Sequence, residues 1–196
     1  MRRTGPPIPL ASSGDIISLI EADRWMIEVL GAVRTFGPTN AWVGAGFVRN
    51  KVWDALHGYL RPSLLNDVDV IYFDVENQTT ALEHAFEAAL IDVMPLVPWS
   101  VRNQARMHEK FGNPHATSTL DSMRHWPEGV TAIAVRLGAD GQVRFVSCYG
   151  VRDLLGLEVH PAPGFPLDVY RARVAQKNWV SIWPKLTLYD LTAGID

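Results

Sequence analysis

Apolar residues recur along this chain with two different periods. From Asp15 they fall at Ile16, Leu19, Ile20, Ile27 and Leu30, the spacing of one helix face, and Gly37-Pro38 supplies a stop. The pattern predicts a helix over 15–36. A short run, Ala41-Trp42-Val43, then breaks at Gly44-Ala45-Gly46. Beyond it Val48, Val52 and Leu56 sit four apart, with Gly58 at the C-cap position. That order reads as strand, glycine turn, helix. Next, Asp67-Val68-Asp69-Val70-Ile71-Tyr72-Phe73 reads as a strand with both carboxylates on one face. Residues 79–90 carry Leu82, Ala85, Phe86 and Ala89 on an amphipathic helix, and 99–107 reads as another strand. Ser118 followed by Asp121 marks the start of a short helix ending before Pro127. Strands over 130–137 and 142–149 flank the hairpin turn Gly138-Ala139-Asp140-Gly141. A last helix spans 168–183. The fold class expected is α+β, a small mixed sheet with helices packed against it and a C-terminal helix.

The expected organisation is a flexible Pro/Gly/Ser-rich leader over 1–14, one domain over 15–160, and a linker plus C-terminal helix over 161–196. Pro161-Ala162-Pro163-Gly164-Phe165-Pro166 is the linker. The thirty residues that follow Pro166 are too few to bury a core of their own. Trp179 and Trp183, four apart, are therefore expected to pack on the preceding domain.

Composition narrows the function classes. The chain has 196 residues, 18 basic against 21 acidic side chains and a formal charge of −3. That balance argues against a body-wide basic surface for nucleic acid and leaves room for a local patch. The single cysteine, Cys148, excludes an internal disulfide framework and a cysteine-rich zinc site. No apolar run approaches the roughly 18–20 residues of a membrane helix, and no signal-peptide stretch follows Met1-Arg2-Arg3. A cytoplasmic location and no membrane partner are expected.

Chemistry concentrates between residues 43 and 74. A glycine turn feeding a helix N-terminus presents unpaired N–H groups and the helix dipole to an anion, and Gly44, Ala45 and Gly46 stand at such a turn. Taken alone it reads more often as plain turn chemistry. Asp67 and Asp69 alter the balance, because like charges on one strand face repel unless a cation lies between them. Oxygen-only donors suit Mg2+, or Mn2+, with the remaining ligands taken from water and phosphate. A solvated acidic face is the plainer alternative.

The series Ala45-Gly46-Phe47-Val48-Arg49-Asn50, followed by Asp67-Val68-Asp69-Val70, resembles the polymerase-beta-type nucleotidyltransferases. More narrowly, it resembles the head domain of CCA-adding enzymes and poly(A) polymerases, whose motif is two glycines, any residue, Val, Arg and Asp. The segment from Trp99 to His108 and the element Trp126-Pro127-Glu128 look like a family of small bacterial nucleotidyltransferase-like proteins. The resemblance implies a nucleotidyltransferase fold and metal-dependent transfer of a nucleotidyl group from a nucleoside triphosphate. It implies Asp67 and Asp69 as catalytic and metal-binding residues. It places Gly44, Ala45, Gly46, Arg49, Asn50, Asn103 and Arg106 around the nucleotide. The chain departs from the pattern at Ala45, where the family has glycine, and at Asn50, where it has aspartate. It departs again over 101–104, which offers no third carboxylate. A non-catalytic nucleotide- or RNA-binding module is the alternative.

Other clusters suit plainer roles as well. Arg49 suits either a phosphate contact or an ion pair with a carboxylate such as Asp67. Arg102, Arg106 and Lys110 read more readily as a solvated strand face, and Arg171, Arg173 and Lys177 as cations in water. His108, His115 and His125 lack ligand spacing for zinc. With an acidic balance and no long basic run, a small-molecule or protein acceptor is expected ahead of tRNA or other RNA.

Overall fold

The computed structural model describes residues 3–108 and 114–190. Two helices open the chain, α1 (Ser13–Glu21) and α2 (Arg24–Phe36), where the periodicity predicted one. The break has a local cause. Asp23 is extended and accepts a hydrogen bond from the Met26 N–H, so it caps a new helix instead of continuing the old one. Ser12 and Asp15 form a reciprocal capping box at the start of α1. Within the stretch expected as a flexible leader, residues 3–8 bond to the end of α3 and the turn after it: Gly5 N–H donates to Gly58 O, Ile8 N–H to Ala55 O, and Leu60 N–H to Arg3 O.

Strand β1 (Trp42–Gly44) leads into α3 (Gly46–His57), and β2 (Val68–Tyr72), α4 (Thr80–Val93) and β3 (Trp99–Asn103) follow. The strand expected to run to 107 stops at Asn103, whose side chain accepts from Ala105 N–H and starts a 3-10 turn over Gln104–Arg106. Helix α5 (Thr119–Met123) starts at Ser118, as its capping pattern predicts. Strands β4 (Ile133–Leu137) and β5 (Val143–Ser147) form the hairpin around Gly138–Gly141. Then come α6 (Arg152–Gly156), β6 (Glu158–Val159), α7 (Leu167–Lys177), α8 (Trp179–Ile182) and β7 (Thr187–Leu188). The single helix expected over 168–183 is split because Asn178 takes a left-handed conformation, φ 47°. Lys110 lies outside the described residues.

The sheet order is β3-β2-β1-β4-β5, with β2 and β3 parallel and the other pairs antiparallel. The architecture is α+β, as expected. One face carries Val43, Val70, Val101 and Val135, buried in the main core with the apolar sides of α1, α2 and α3. The opposite face is thinner, with Ile71 and Ala134 packed with Met123, Trp42, Trp126, Val146 and Cys148. Strand alternation puts Asp69 on this thinner face, two residues from Ile71.

The C-terminal elements anchor on α3. Trp179 and Trp183 are buried, and their rings meet Trp53 edge-on at centroid distances of 5.6 and 5.1 Å. Such aromatic pairs add about 0.5–1.5 kcal/mol each beyond the area they bury. Trp183 Nε1 donates to the buried Asp54 carboxylate at 2.8 Å, and Ser63 donates to it from both N–H and hydroxyl.

Candidate active site at the turn before α3

The register of β1 on β2 pairs Trp42 with Ile71 and Val43 with Val70, and continued one residue it sets Gly44 beside Asp69. The glycine turn and the acidic pair therefore meet at one end of the sheet. Gly44 is needed for close packing: a Cβ there would sit 3.2 Å from the Trp126 ring and 3.3 Å from Ile133 O. Its backbone stays in the ordinary strand region. The unusual conformation falls on Ala45, φ 50° and ψ −117°, a region that glycine occupies freely and alanine does not. Ala45 is the N-cap of α3 and makes no side-chain cap, so the first-turn N–H groups of that helix receive no side-chain acceptor from it.

Arg49, one turn into α3, is buried, at 7% exposure. Its Nη2 donates to Asn50 Oδ1 at 3.0 Å, and its guanidinium lies 4.5 Å from the Trp179 ring centroid and 5.1 Å from that of Trp53. Its Nε is buried without a hydrogen-bond partner. Burial pulls the Arg49 pKa down to about 10; Glu128 opposes that shift, Arg173 adds to it, and Asp69 and Asp67 oppose it. Arg49 thus stacks on tryptophans rather than forming the close ion pair with Asp67 that the sequence left open. The charges around it are Glu128, Arg173 of α7 and the acidic pair.

Asp67 is exposed and immediately precedes β2, and Asp69 is half-buried within it. Burial raises the Asp69 carboxyl to about 6, with Asp67 adding to the shift; Arg49, Lys177 and a hydrogen bond from Ser100 oppose it. Ser100 stands opposite Asp69 on β3. Strand alternation gives β3 only Ser100 and Arg102 on this face, and neither is a carboxylate.

The side chains of Asn103 and Arg106 are engaged on the α4 side of β3. Asn103 is fully buried and bonds Asp74 N–H, Asp74 O, Asn77 O and Ala105 N–H. Arg106 grips Glu83 of α4 through Nε at 2.8 Å and Nη2 at 2.5 Å, and Arg102 donates to Glu87 at 2.8 Å. These side chains fasten β3 to α4.

Sequence reasoning passed over Glu128 as a charged group. It is wholly buried, accepts from Arg173 Nε at 2.7 Å and from Thr131 Oγ1 at 3.0 Å, and acts electrostatically on Arg49. Only its place in the Trp126-Pro127-Glu128 element singled it out. A second titratable group also went unread. Single ligand atoms of Asp153, Glu158 and His160 lie within 4.8 Å of one another. Cys148 is half-buried, donates to Leu120 O, and has its thiol pushed up to about 11 by burial, which leaves no thiolate nucleophile. No helix among the described residues is long and apolar enough to cross a membrane.

Comparison with known proteins agrees with this geometry. An NMR structure described as revealing a CCA-adding enzyme head domain superposes with a TM-score of 0.80 at 29% identity, covering 89% of this chain and 94% of that one. Complexes of CCA-adding enzyme with CTP and with ATP match at 12% identity, with TM-scores of 0.47 and 0.48. Those matches cover 88% and 90% of this chain but only 48% and 49% of theirs, so the chain spans about half their length. No protein of curated function matches the sequence. Residues 31–188, well over half of the chain, match the family described as nucleotidyltransferase, and with the head-domain fold and the turn–acid geometry in place the chain belongs to that family.

Proposed function

We propose that this protein transfers a nucleotidyl group from a nucleoside triphosphate to an acceptor hydroxyl, in a reaction that depends on Mg2+ or Mn2+. The observation that carries this is the meeting of the uncapped α3 N-terminus, buried Arg49 and the Asp67–Asp69 pair at one end of the sheet. The donor set fits a hard divalent cation, being two carboxylates of which the inner one resists ionisation until about pH 6. Asp67 and Asp69 would hold it; when bound, it neutralises phosphate charge and acidifies a nearby hydroxyl.

The chain's own groups do the positioning. First-turn N–H groups of α3 aim the positive end of the helix at the outer phosphates. Arg49 places a fixed charge behind them, held by two tryptophans and Asn50. In the transfer, the acceptor oxygen bonds to the α-phosphorus and the α–β P–O bond breaks. The electron pair leaves with pyrophosphate and the acceptor proton passes to solvent.

The lack of a carboxylate on β3 beside Ser100 and Arg102 favours one second reading, a module that holds the nucleotide without turning it over. Pyrophosphate release separates the two. With Mg2+ and a panel of ribonucleoside triphosphates, the enzyme reading expects release above the no-protein rate, and binding without release supports the module. Asp69→Asn should lower Mg2+-dependent triphosphate affinity at least about tenfold with the circular dichroism spectrum unchanged. Unchanged Mg2+-dependent affinity in that variant would sink the metal role.

A further inference from the structure

Helix α7 carries a charge, Lys177, that reaches the acidic pair, and the family resemblance assigns this helix no part. Arg173 is fixed on it by the 2.7 Å bond from its Nε to wholly buried Glu128. Lys177 follows four residues later, one turn along the same face of the helix. Two residues on, Trp179 lies under the Arg49 guanidinium at 4.5 Å. Lys177 is thus bracketed by two contacts that both lead to the Arg49 neighbourhood. Its charge is felt at Asp69, and its side chain is half-buried. Among the described residues Lys177 makes no hydrogen bond or close ion pair of its own, unlike Arg171 and Arg173, which bond Asp190 O and Glu128. A rotamer-rich ammonium pre-placed towards the acidic pair, with its donors unspent, is suited to an anion that arrives later.

Resting on the nucleotidyltransferase reading, we propose that Lys177 is a nucleotide-binding residue. Its ammonium contacts the outer phosphates of the nucleoside triphosphate, and Arg173 and Glu128 act as the strut that positions it. The charges fit this role. Arg49, Arg173 and Lys177 balance Asp67, Asp69 and Glu128 three against three, so the cluster carries no net charge without ligand. Glu128 keeps Arg173. A cation held by the two aspartates would leave Arg49 and Lys177 free to face the phosphates. The contact concerns the β- and γ-phosphates, which leave as pyrophosphate, so it discriminates a triphosphate from a monophosphate of the same base.

The test is calorimetric, with Mg2+ present and a nucleoside triphosphate, its monophosphate and inorganic pyrophosphate as probes. Lys177→Gln should weaken triphosphate and pyrophosphate binding about tenfold or more and leave the monophosphate unchanged, and Lys177→Arg should restore most of the loss. A readout on the unaltered chain runs beside it: triphosphate, but not monophosphate, should slow acetylation of Lys177 by a lysine-reactive reagent. Equal loss for all three probes, or no loss with no protection, overturns the assignment. If the unaltered chain binds none of the triphosphates in Mg2+, the nucleotidyltransferase reading falls and this assignment with it. If it binds them and Lys177→Gln changes nothing, only the assignment falls.

Discussion

At the scale of single residues, the site is built from groups held away from their comfortable states. Ala45 occupies a glycine conformation, φ 50° and ψ −117°, where an L side chain is strained by on the order of 1–3 kcal/mol. Gly44 does not relieve it, since its own glycine character serves the approach of Trp126. Ala45→Gly should therefore stabilise the fold by about 1 kcal/mol, after allowing for the greater freedom of glycine in the unfolded chain. A thermal midpoint raised by a few degrees checks this, and a lowered midpoint would show that the Ala45 methyl contributes packing. Asp69 is the second such group. Its carboxyl keeps a proton to about 6, whereas an unperturbed aspartate releases it near 3.8. Between those values the folded chain binds more protons than the unfolded one, so this group's contribution falls as pH rises through the window and is constant above it. The loss is at most about 3 kcal/mol, reduced by whatever water reaches the half-buried carboxylate. Asp69→Asn has no such penalty. The variant should gain stability over the parent between pH 4 and pH 7 in urea titrations, and a pH-independent difference would contradict the burial argument. The substitution expected to weaken metal-dependent binding is thus expected to strengthen the fold, as a group kept for function at the expense of stability should.

At the scale of elements, legibility followed how local each signal is. The β1–turn–α3 unit, the hairpin at Gly138–Gly141 and the start of α5 at Ser118 were readable, because turn and cap chemistry depends on neighbours along the chain. The breaks at Asp23 and Asn178 were not. In both places the apolar period runs on through the interruption, and a polar residue with a local alternative to the helix decides the outcome. The end of β3 was missed for a similar reason: Asn103 reads as one more polar strand residue, yet its side chain satisfies backbone groups on two other segments. Within the site, Asp67, Asp69 and the glycine turn could be read from spacing. Their neighbours Lys177 and Trp179 could not, because they reach the site through the packing of the C-terminal helices on Trp53, and Glu128 could not, because it is tied to the site through Arg173 of α7. Distance in sequence hid them, and burial of charge reveals them.

At the scale of the whole molecule, the question is what acceptor the site can take. A long polyanion is held by many neutralised phosphates, so an RNA acceptor calls for a continuous positive track leading to the acidic pair. Five cations of the chain could contribute to one: Arg102, Arg106, Arg171, Arg173 and Lys177. They do not form one track. Arg102 and Arg106 turn to Glu87 and Glu83 on α4, and Arg173 to Glu128, while Arg171 bonds Asp190 O at the far end of its helix. Only Lys177 directs its charge to Asp69 with no close ion pair among the described residues. With a formal charge of −3 over the whole chain, little remains to draw a polyanion from a distance. This supports a small molecule or a protein as the acceptor. Titration with tRNA at moderate salt should then give weak binding, with a log–log salt slope of about −1 to −2, because one or two free cations release one or two counterions. A slope of about −5 or steeper, with tight binding at low salt, would mean that the paired arginines leave their carboxylates to grip phosphate, and RNA would become the better acceptor.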